Sequence, residues 1–366
     1  MESLRDTVPA SAEVAAARER FPVLEQVAYL NAGTFGPLSR DTLRVMREEQ
    51  ERDLLEGRTG LPYFLDTLGL RVEMRARVAE LVGADAAAVA LTTSTTEGCN
   101  IVAAGLGLGP DDEVVTTTDE HFGLLGALAA SGARVVVVPP DPERVLAAVT
   151  PRTRLLALSQ VLWTTGALLP VAELREASGV PVLVDGAQSV GTIAVDAAGL
   201  DFLTISGQKW LCGPDATGAL IVADPERLRV AAPSYFAQVS YDPDGSFVPR
   251  EGAARFERSW WSRASLRGLL TALGERPAWG QRHALVMAAR CRELLAPHVE
   301  LVPGGASPLV AFRRPGGDAA ELVQRLHEAG VRVRELPGRD LVRVSVGWWT
   351  TEGDLQRLLD GVRPAG

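Results

Sequence analysis

Short apolar runs alternate with helical patterns through the middle of the chain. Seven runs predict strands: Val89 to Thr92, Glu113 to Thr117, Ala133 to Val138, Arg154 to Ser159, Val180 to Asp185, Asp201 to Ser206 and Ala219 to Val222. Helical spacing lies between most of them, at Thr96 to Leu106, Phe122 to Ala130 and Val171 to Ala177. Strands that are apolar throughout and alternate with helices predict an α/β fold, in which helices cover both faces of a largely parallel sheet.

A loop-rich segment, residues 233–252, separates this region from the rest of the chain. Beyond it the pattern predicts, in order, a helical region at Ala264 to Leu295 and shorter elements at Leu309 to Phe312, Ala319 to Ala329, Val331 to Arg334, Leu341 to Val346 and Glu352 to Leu359. We therefore predict a large domain at residues 26–250 and a smaller α/β domain at residues 251–366. The N-terminal segment, residues 1–25, is expected to pack with the small domain.

The composition is that of an ordinary globular protein, with 46% hydrophobic and 23% charged residues among 366. A net charge of -9 argues against a nucleic-acid or anionic-membrane partner. The first twenty residues are polar and charged, and no apolar stretch has the length of a spanning helix, so we expect a cytoplasmic protein. Three irregularly spaced cysteines and four scattered histidines predict neither a disulfide framework nor a metal site.

One basic residue differs in kind from all the others. The chain has 37 lysines and arginines, and Lys209 is the only lysine among them. Arginine replaces lysine in most structural roles, but a guanidinium stays charged, whereas an ε-amine can lose its proton and condense with a carbonyl. The isolated lysine therefore indicates a nucleophilic role for Lys209.

An acidic residue precedes this lysine at the end of a predicted strand. Asp185 ends the strand in PVLVDGAQSVG, and Lys209 follows the next predicted strand, so both can face one ligand at the carboxyl edge of the sheet. A carboxylate beside a pyridine nitrogen keeps it protonated, as pyridoxal phosphate chemistry requires. The pair of Asp185 and Lys209 therefore predicts that cofactor.

A phosphate cradle is predicted where LTTSTTEGCN passes from a strand into a helix. Thr95 and Thr96 open that helix, and free backbone amides at a helix N-terminus bind phosphate. Ser206 and Gln208, beside the lysine, could complete the cradle. His121 follows another strand and either lies on the pyridine ring or has a structural role.

Four motifs in this order, STTEG, DEH, VDGAQSVG and SGQKWLCGP, resemble the class V aminotransferase family of fold type I pyridoxal phosphate enzymes. The resemblance extends from YLNAGTFGPL near Tyr29 to RVSVGWWT near Arg343. This family includes cysteine desulfurases, selenocysteine lyases, isopenicillin N epimerase-like proteins and cystine C-S lyases. The stretches FPVLEQVAYLNAGTFGPL, SQVLWTTGALLPV and QKWLCGP look most like the last two branches.

The resemblance implies the fold type I architecture, with a seven-stranded sheet in the large domain, and a role for each site residue. Lys209 would form the internal aldimine, Asp185 would pair with the ring nitrogen, and Gln188 would approach the phenolic oxygen. His121 would stack on the ring, and Arg343 would bind the substrate α-carboxylate. The implied phosphate ligands are Thr95, Thr96, Ser206 and Gln208. A homodimer with its active site at the interface is also implied, with an amino acid as substrate.

Departures from the family pattern bear on the reaction. Gln208 and Gln160 stand where many relatives carry histidine, and glutamine does not titrate near neutral pH. Trp163 stands where related desulfurases have an asparagine near the phenolic oxygen. Desulfurases also need a cysteine on a C-terminal loop, but the last cysteine here is Cys291, so persulfide-forming desulfuration is not expected.

Three reactions remain compatible with this sequence. The leading interpretation is β-elimination from cystine or cysteine, and the alternative is an epimerase or aminotransferase of the isopenicillin N epimerase-like type. A cofactor-binding protein without catalysis is a further alternative. Two tryptophan pairs either line a substrate pocket or pack in the core or at the dimer interface, namely Trp260 with Trp261 and Trp348 with Trp349.

Overall fold

The computed structural model describes residues 9–258 and 260–363. Residues 1–8, 259 and 364–366, which belong to the predicted N-terminal segment and small domain, lie outside the described residues. The α-helices are α1 (Ser11–Arg18), α2 (Val23–Gln26), α3 (Arg40–Glu56), α4 (Gly60–Val82), α5 (Thr95–Gly105), α6 (Phe122–Ala129), α7 (Pro142–Ala147), α8 (Val171–Ser178), α9 (Arg263–Gly274), α10 (Gly280–Leu295), α11 (Ala319–Glu328) and α12 (Glu352–Val362).

The strands are β1 (Ala28–Tyr29), β2 (Val89–Thr92), β3 (Glu113–Thr117), β4 (Arg134–Val138), β5 (Thr153–Ser159), β6 (Val182–Asp185), β7 (Phe202–Ser206), β8 (Gly218–Val222), β9 (Gln238–Tyr241), β10 (Phe247–Pro249), β11 (Glu300–Leu301), β12 (Leu309–Arg313), β13 (Val331–Arg332), β14 (Arg334–Leu336) and β15 (Leu341–Ser345). Each of the seven strands predicted for the large sheet is present, with its ends within two residues of the predicted ones. The β9–β10 hairpin lies inside the segment that the sequence suggested to be loop-rich.

The large sheet of the described residues has seven strands in the order β2-β8-β7-β6-β5-β3-β4. Strand β8 is antiparallel to both neighbours, and the other pairs are parallel. Helices α4, α8 and α9 pack on one face, and α5 and α6 pack on the other. The predicted α/β fold, a mainly parallel sheet between helices, is therefore confirmed.

The chain reverses the direction in which it adds strands at β3. Strand β4 lies on one side of β3, and β5 lies on the other, followed by β6 and β7. Helix α6, which follows β3, and helix α8, which follows β5, therefore lie on opposite faces of the sheet. A crevice opens between them at the carboxyl ends of β3 and β5. This crevice is where a ligand is expected to bind.

A smaller antiparallel sheet in the described residues has the order β11-β12-β15-β14 and packs against α10, α11 and α12. The strand predicted at Val331 to Arg334 is divided. Residues of β13 pair in parallel with β1, whereas β14 pairs with β15. The helical region predicted from Ala264 to Leu295 is likewise two helices, α9 and α10, separated by a segment that contains Pro277.

The packing bears on where the domains divide. Leu266, Leu269 and Leu273 of α9 lie in the core of the large sheet, so we propose that the small domain begins between α9 and α10 rather than at residue 251.

The described part of the N-terminal segment contacts the small domain. Phe21 packs against Trp348, with ring centroids 5.5 Å apart, and Arg18 forms a 2.7 Å ion pair with Asp354.

Candidate active site

A cavity of about 270 Å³ opens at the carboxyl ends of the central strands. Every residue predicted for the site lines it: Thr95, Thr96, His121, Asp185, Gln188, Ser206, Gln208, Lys209 and Arg343. Its wall also includes side chains that the sequence analysis did not select for a binding role, among them Thr34, Ser159 and Arg334. The tertiary structure therefore brings all the predicted site residues into one cavity.

Lys209 lies in a tightly held loop after β7. The Gly36 amide donates to the Gln208 carbonyl at 2.8 Å, and the Cys212 amide donates to the Lys209 carbonyl at 3.0 Å. Gly36 has no room for a side chain, because a Cβ there would come within 2.2 Å of the Lys209 carbonyl oxygen. The backbone that carries the amine is thus fixed from two sides.

The surroundings of Lys209 increase the fraction of its amine that is neutral. Burial lowers the pKa of the amine from 10.5 to about 8, the Asp185 carboxylate opposes this change, and Arg343 and Arg334 add to it. The amine can therefore act as both a base and a nucleophile near neutral pH.

Asp185 and Gln188 are fixed by the turn that follows β6. The Ala187 amide donates to Asp185 Oδ1 at 2.9 Å, and no other described residue donates to this carboxylate. Gln188 Nε2 donates to the Gly33 carbonyl at 2.9 Å, and Gln188 Oε1 accepts from Trp210 Nε1 at 2.8 Å. Asp185 therefore keeps a carboxylate oxygen for a ligand, whereas Gln188 retains only one amide hydrogen.

The N-terminus of α5 provides hydrogen-bond donors at one end of the cavity. Ser94 caps this helix by accepting from the Glu97 amide at 3.1 Å, and the amides of the next residues have no acceptor inside the helix. The hydroxyl groups of Thr95 and Thr96 form no hydrogen bond with the described residues. Across the cavity, Ser206 Oγ donates to Gln208 Oε1 at 2.8 Å, which leaves the Gln208 amino group free. Such a set of hydroxyl and amide donors at a helix N-terminus fits a phosphate.

His121 is the N-cap of α6 and lies at the cavity mouth. Its Nδ1 accepts from the Gly123 amide at 3.1 Å, so the neutral ring carries its hydrogen on Nε2. The ring contacts Trp163 edge to face, with centroids 5.3 Å apart. One side of the imidazole is open to solvent, but the surrounding protein and the positive charge of Lys209 lower the pKa of His121. A neutral imidazole is therefore expected at pH 7.

Two arginines from the small domain meet at the other end of the cavity. Arg334 and Arg343 are opposite each other on β14 and β15, and both donate to Thr34 Oγ1, at 3.1 and 3.2 Å. Arg343 also donates to the Trp163 carbonyl at 2.9 Å. Neither guanidinium forms an ion pair with another described residue. Arg334 could not be predicted from the sequence, because nothing there distinguishes it among 36 arginines.

Comparison with known proteins identifies the family. Residues 69–358 match the model of the aminotransferase class-V family, which is most of the chain. The chain belongs to the class V aminotransferase family. The predicted resemblance is therefore confirmed.

Relatives within the class V family catalyse more than one reaction. The chain is 31% identical to isopenicillin N epimerase of Streptomyces clavuligerus, over 94% of this chain and 96% of that protein. It is 28% identical to the cysteine desulfurase CsdA of Escherichia coli, over 79% of this chain and 81% of that protein. A solved structure of the cystine C-S lyase C-DES with its reaction product, cysteine persulfide, has a TM-score of 0.86 and 26% identity, and covers 94% of this chain and 100% of that one.

The class V family uses pyridoxal phosphate. Another C-DES structure has glycine linked to this cofactor; it matches with a TM-score of 0.89 and 25% identity, over 95% of this chain and 99% of that one. The residues of the cavity described here fit the group. The helix N-terminus with its unbonded hydroxyls suits the phosphate, Asp185 has a free carboxylate oxygen, and Lys209 has a lowered pKa. We therefore assign pyridoxal phosphate to this cavity.

The tryptophan pairs lie outside the cavity of this class V protein. Trp348 and Trp349 are buried in a core with Phe21, and Trp261 is buried in the core of the large sheet. Trp260 is partly exposed and stacks on Phe64, with centroids 6.2 Å apart. None of the four tryptophans lines the cavity. The core-packing alternative is supported for Trp261, Trp348 and Trp349, and the alternative that Trp260 lies at a dimer interface stays a prediction.

The described residues show neither a membrane span nor a metal cluster. No described helix has both the length and the apolar character needed to cross a bilayer. In the same part of the chain, His, Cys, Asp and Glu side chains do not gather in groups of three or more that could hold a metal ion.

Proposed function

We propose that this protein is a pyridoxal phosphate-dependent C-S lyase that performs β-elimination on cystine-type or cysteine-type amino acids. The observation that carries the proposal is the pair of arginines, Arg334 and Arg343, in the cavity that contains Lys209. Neither guanidinium is neutralised by an acidic side chain of the described residues. Two such cations match a substrate with two carboxylates, and cystine has one at each end.

Different residues of the cavity would bind different parts of the cofactor and the substrate. We propose that Thr95, Thr96, Ser206 and Gln208 hold the cofactor phosphate, and that His121 and Gln188 contact its ring. When bound, the cofactor withdraws electrons from the substrate α-carbon, provided that an acid such as Asp185 keeps its ring nitrogen protonated. Arg343 would bind the α-carboxylate, and Arg334 would bind the distal one.

Lys209 would transfer the proton of the substrate. With a pKa near 8, the amine accepts the α-proton at neutral pH without a strong base nearby. The bond between the β-carbon and sulfur then breaks, and its electron pair leaves with the sulfur. For cystine the balanced reaction is cystine plus water giving pyruvate, ammonia and cysteine persulfide.

The cysteines argue against the desulfurase reaction. Cys99, Cys212 and Cys291 are all buried, and none of them lines the cavity. Burial raises the pKa of Cys212 and of Cys291 to about 12, so both remain protonated thiols at neutral pH. A cysteine that could attack the substrate sulfur is thus missing from this site.

The second candidate function is an amino-acid epimerase or aminotransferase. The similarity to isopenicillin N epimerase along nearly the whole chain favours it. The same cavity residues would bind the cofactor, and the difference would lie in the fate of the α-proton. An epimerase returns a proton to the α-carbon, whereas the lyase expels the sulfur.

We also propose a homodimer with the active site near its interface. Helices α3 and α4 carry exposed leucines, with Leu54 81%, Leu55 76% and Leu61 66% accessible, and Phe122 beside His121 is 79% accessible. Exposed apolar side chains in such numbers favour a partner surface. Analytical ultracentrifugation of the purified protein tests this, and a monomer at micromolar concentration would contradict it. The cytoplasmic location and the absence of a nucleic-acid partner stay predictions.

The test of the function combines cofactor binding with product analysis. The purified protein is mixed with pyridoxal phosphate, and the visible band of a Schiff base is expected for the wild type but not for Lys209→Ala. Cystine is then added, and pyruvate is measured. Pyruvate formation that requires Lys209 supports the lyase. Exchange of the α-hydrogen in deuterated water without pyruvate would instead support the epimerase or aminotransferase, and the absence of any band would refute the proposal.

A further inference from the structure

A buried glutamate lies directly below the cavity and has no role in the proposed reaction. Glu120 is 4% exposed and stands between the end of β3 and His121. Its carboxylate accepts hydrogen bonds from Thr117 Oγ1 at 2.9 Å and from the Ser159 amide at 3.0 Å, and it also accepts from Ser159 Oγ. Glu120 therefore connects the carboxyl ends of β3 and β5.

These two strands separate at their carboxyl ends. Their regular backbone pairing ends with Val115 and Leu156, and beyond these residues side-chain hydrogen bonds connect the two strands. Thr116 Oγ1 donates to the Ala157 carbonyl at 2.7 Å, and the Glu120 carboxylate then accepts from the Ser159 amide. The crevice in which the cavity lies is thus closed at its base by side chains rather than by the backbone ladder.

Ser159 connects Glu120 to the cavity. Ser159 lines the cavity and is the register partner of Asp185 on the neighbouring strand β6. A movement of Ser159 would therefore shift the end of β5 relative to Asp185. Glu120 also directly precedes His121, so the same carboxylate restrains the turn that carries the imidazole.

We propose that Glu120 is a positioning residue of the active site, which acts through Ser159 and the His121 turn to keep the crevice in the shape that binds the cofactor. The proposal rests on the proposed function only in assigning pyridoxal phosphate to this cavity. Glu120 does not line the cavity, so its effect on cofactor binding is indirect.

The charge of Glu120 provides a second readout, which reports the burial of its carboxyl between β3 and β5. Burial raises the pKa of Glu120 to about 7, and the nearby Asp185 carboxylate adds to this, while the hydrogen bonds from Ser159 and Thr117 oppose it. Among the described residues, the Cys99 thiol on α5 also senses this carboxylate, and its pKa is raised chiefly by burial and then by Asp185 and Glu120. Glu120 therefore titrates in a range that is accessible to experiment.

The matched control lies on the same strand. Glu113 begins β3, is equally buried, and binds Arg134, Arg152 and Thr150 at the opposite edge of the sheet. Its replacement removes a buried carboxylate of the same type far from the cavity. The variants to compare are Glu120→Gln, Ser159→Ala, their double variant and Glu113→Gln.

The first measurement is the affinity for pyridoxal phosphate. Because Glu120→Gln loses the charged acceptor for the Ser159 amide and hydroxyl, we expect it to bind the cofactor about tenfold more weakly, a difference of about 1.4 kcal/mol. We expect Ser159→Ala to weaken binding as well, and the double variant to bind no more weakly than Glu120→Gln. Unchanged affinity in Glu120→Gln, or losses that simply add in the double variant, would overturn the proposal.

The second measurement is the melting temperature of the protein without added cofactor, so it can be made on a variant that no longer binds the cofactor. A carboxyl whose pKa is raised on folding stabilises the folded state less as the pH rises from its unfolded value towards 7. The melting temperature of Glu120→Gln should therefore rise relative to that of the wild type between about pH 5 and pH 8, whereas that of Glu113→Gln should not. A constant difference for Glu120→Gln would overturn the assignment of its charge. Failure of the wild type to bind pyridoxal phosphate would instead refute the proposed function.

Discussion

Lys209 is the only lysine in the chain, so its ionisation can be followed with amine-specific reagents. Burial lowers its pKa from 10.5 to about 8. At pH 7 an amine with a pKa of 8 is neutral in about one molecule in ten, whereas one with a pKa of 10.5 is neutral in about one in three thousand. The cavity therefore increases the reactive fraction of Lys209 about 300-fold at pH 7.

Two substitutions should move this pKa in opposite directions. Asp185→Asn removes the carboxylate that raises the pKa of Lys209, so the pKa should fall below its wild-type value. Arg343→Gln removes a positive neighbour that lowers it, so the pKa should rise. Arg290→Gln, which removes an exposed charge that pairs with Glu352 on the small domain, is the control and should leave the pKa unchanged.

The assay is a brief pulse of an acetylating reagent on the cofactor-free protein between about pH 6 and pH 11, a range that covers both pKa values. Mass spectrometry of the peptide that contains Lys209 gives the labelled fraction and separates it from any α-amine. The midpoint should lie near 8 in the wild type. A midpoint near 10.5, or a rise in Asp185→Asn, would refute the reasoning from burial and charge.

Two further predictions concern the framework of the site. In Gly36→Ala the new Cβ meets a backbone carbonyl at 2.2 Å, so we expect a loss of about 1 to 3 kcal/mol in the free energy of unfolding and weaker cofactor attachment. Denaturant unfolding beside Gly69→Ala, where no atom lies within 4 Å, checks this, and equal stabilities would contradict it. Asp119→Asn breaks the ion pair with Arg339, which ties the turn between β14 and β15 to the end of β3. This pair is partly exposed, so we expect its loss to lower the free energy of unfolding by less than about 1 kcal/mol. Because β14 and β15 carry Arg334 and Arg343, we also expect a raised KM with little change in kcat. An unaltered KM would count against this prediction.

The sequence by itself determined the large sheet and the centre of the site. The strands are short apolar runs, and all except the edge strand β4 are almost wholly buried on both faces, so their ends could be predicted to within two residues. Parallel strands place their carboxyl ends at one edge, which is why His121, Asp185 and Lys209 could be assigned to a single cavity. These properties depend on local composition and on the order of elements along the chain.

The tertiary structure alone decided the arginine-lined end of the cavity and the packing of the tryptophans. Arg334 meets Arg343 only through the register of β14 and β15, and both reach Thr34, which is about 300 residues away in sequence. The burial of Trp348 against Phe21 likewise depends on how the N-terminal segment docks on the small domain. Contacts between distant segments are set by packing complementarity and strand register, and neither has a periodicity in the sequence. The physical reason is that hydrophobic pattern specifies which face of an element is buried, but not which partner covers it.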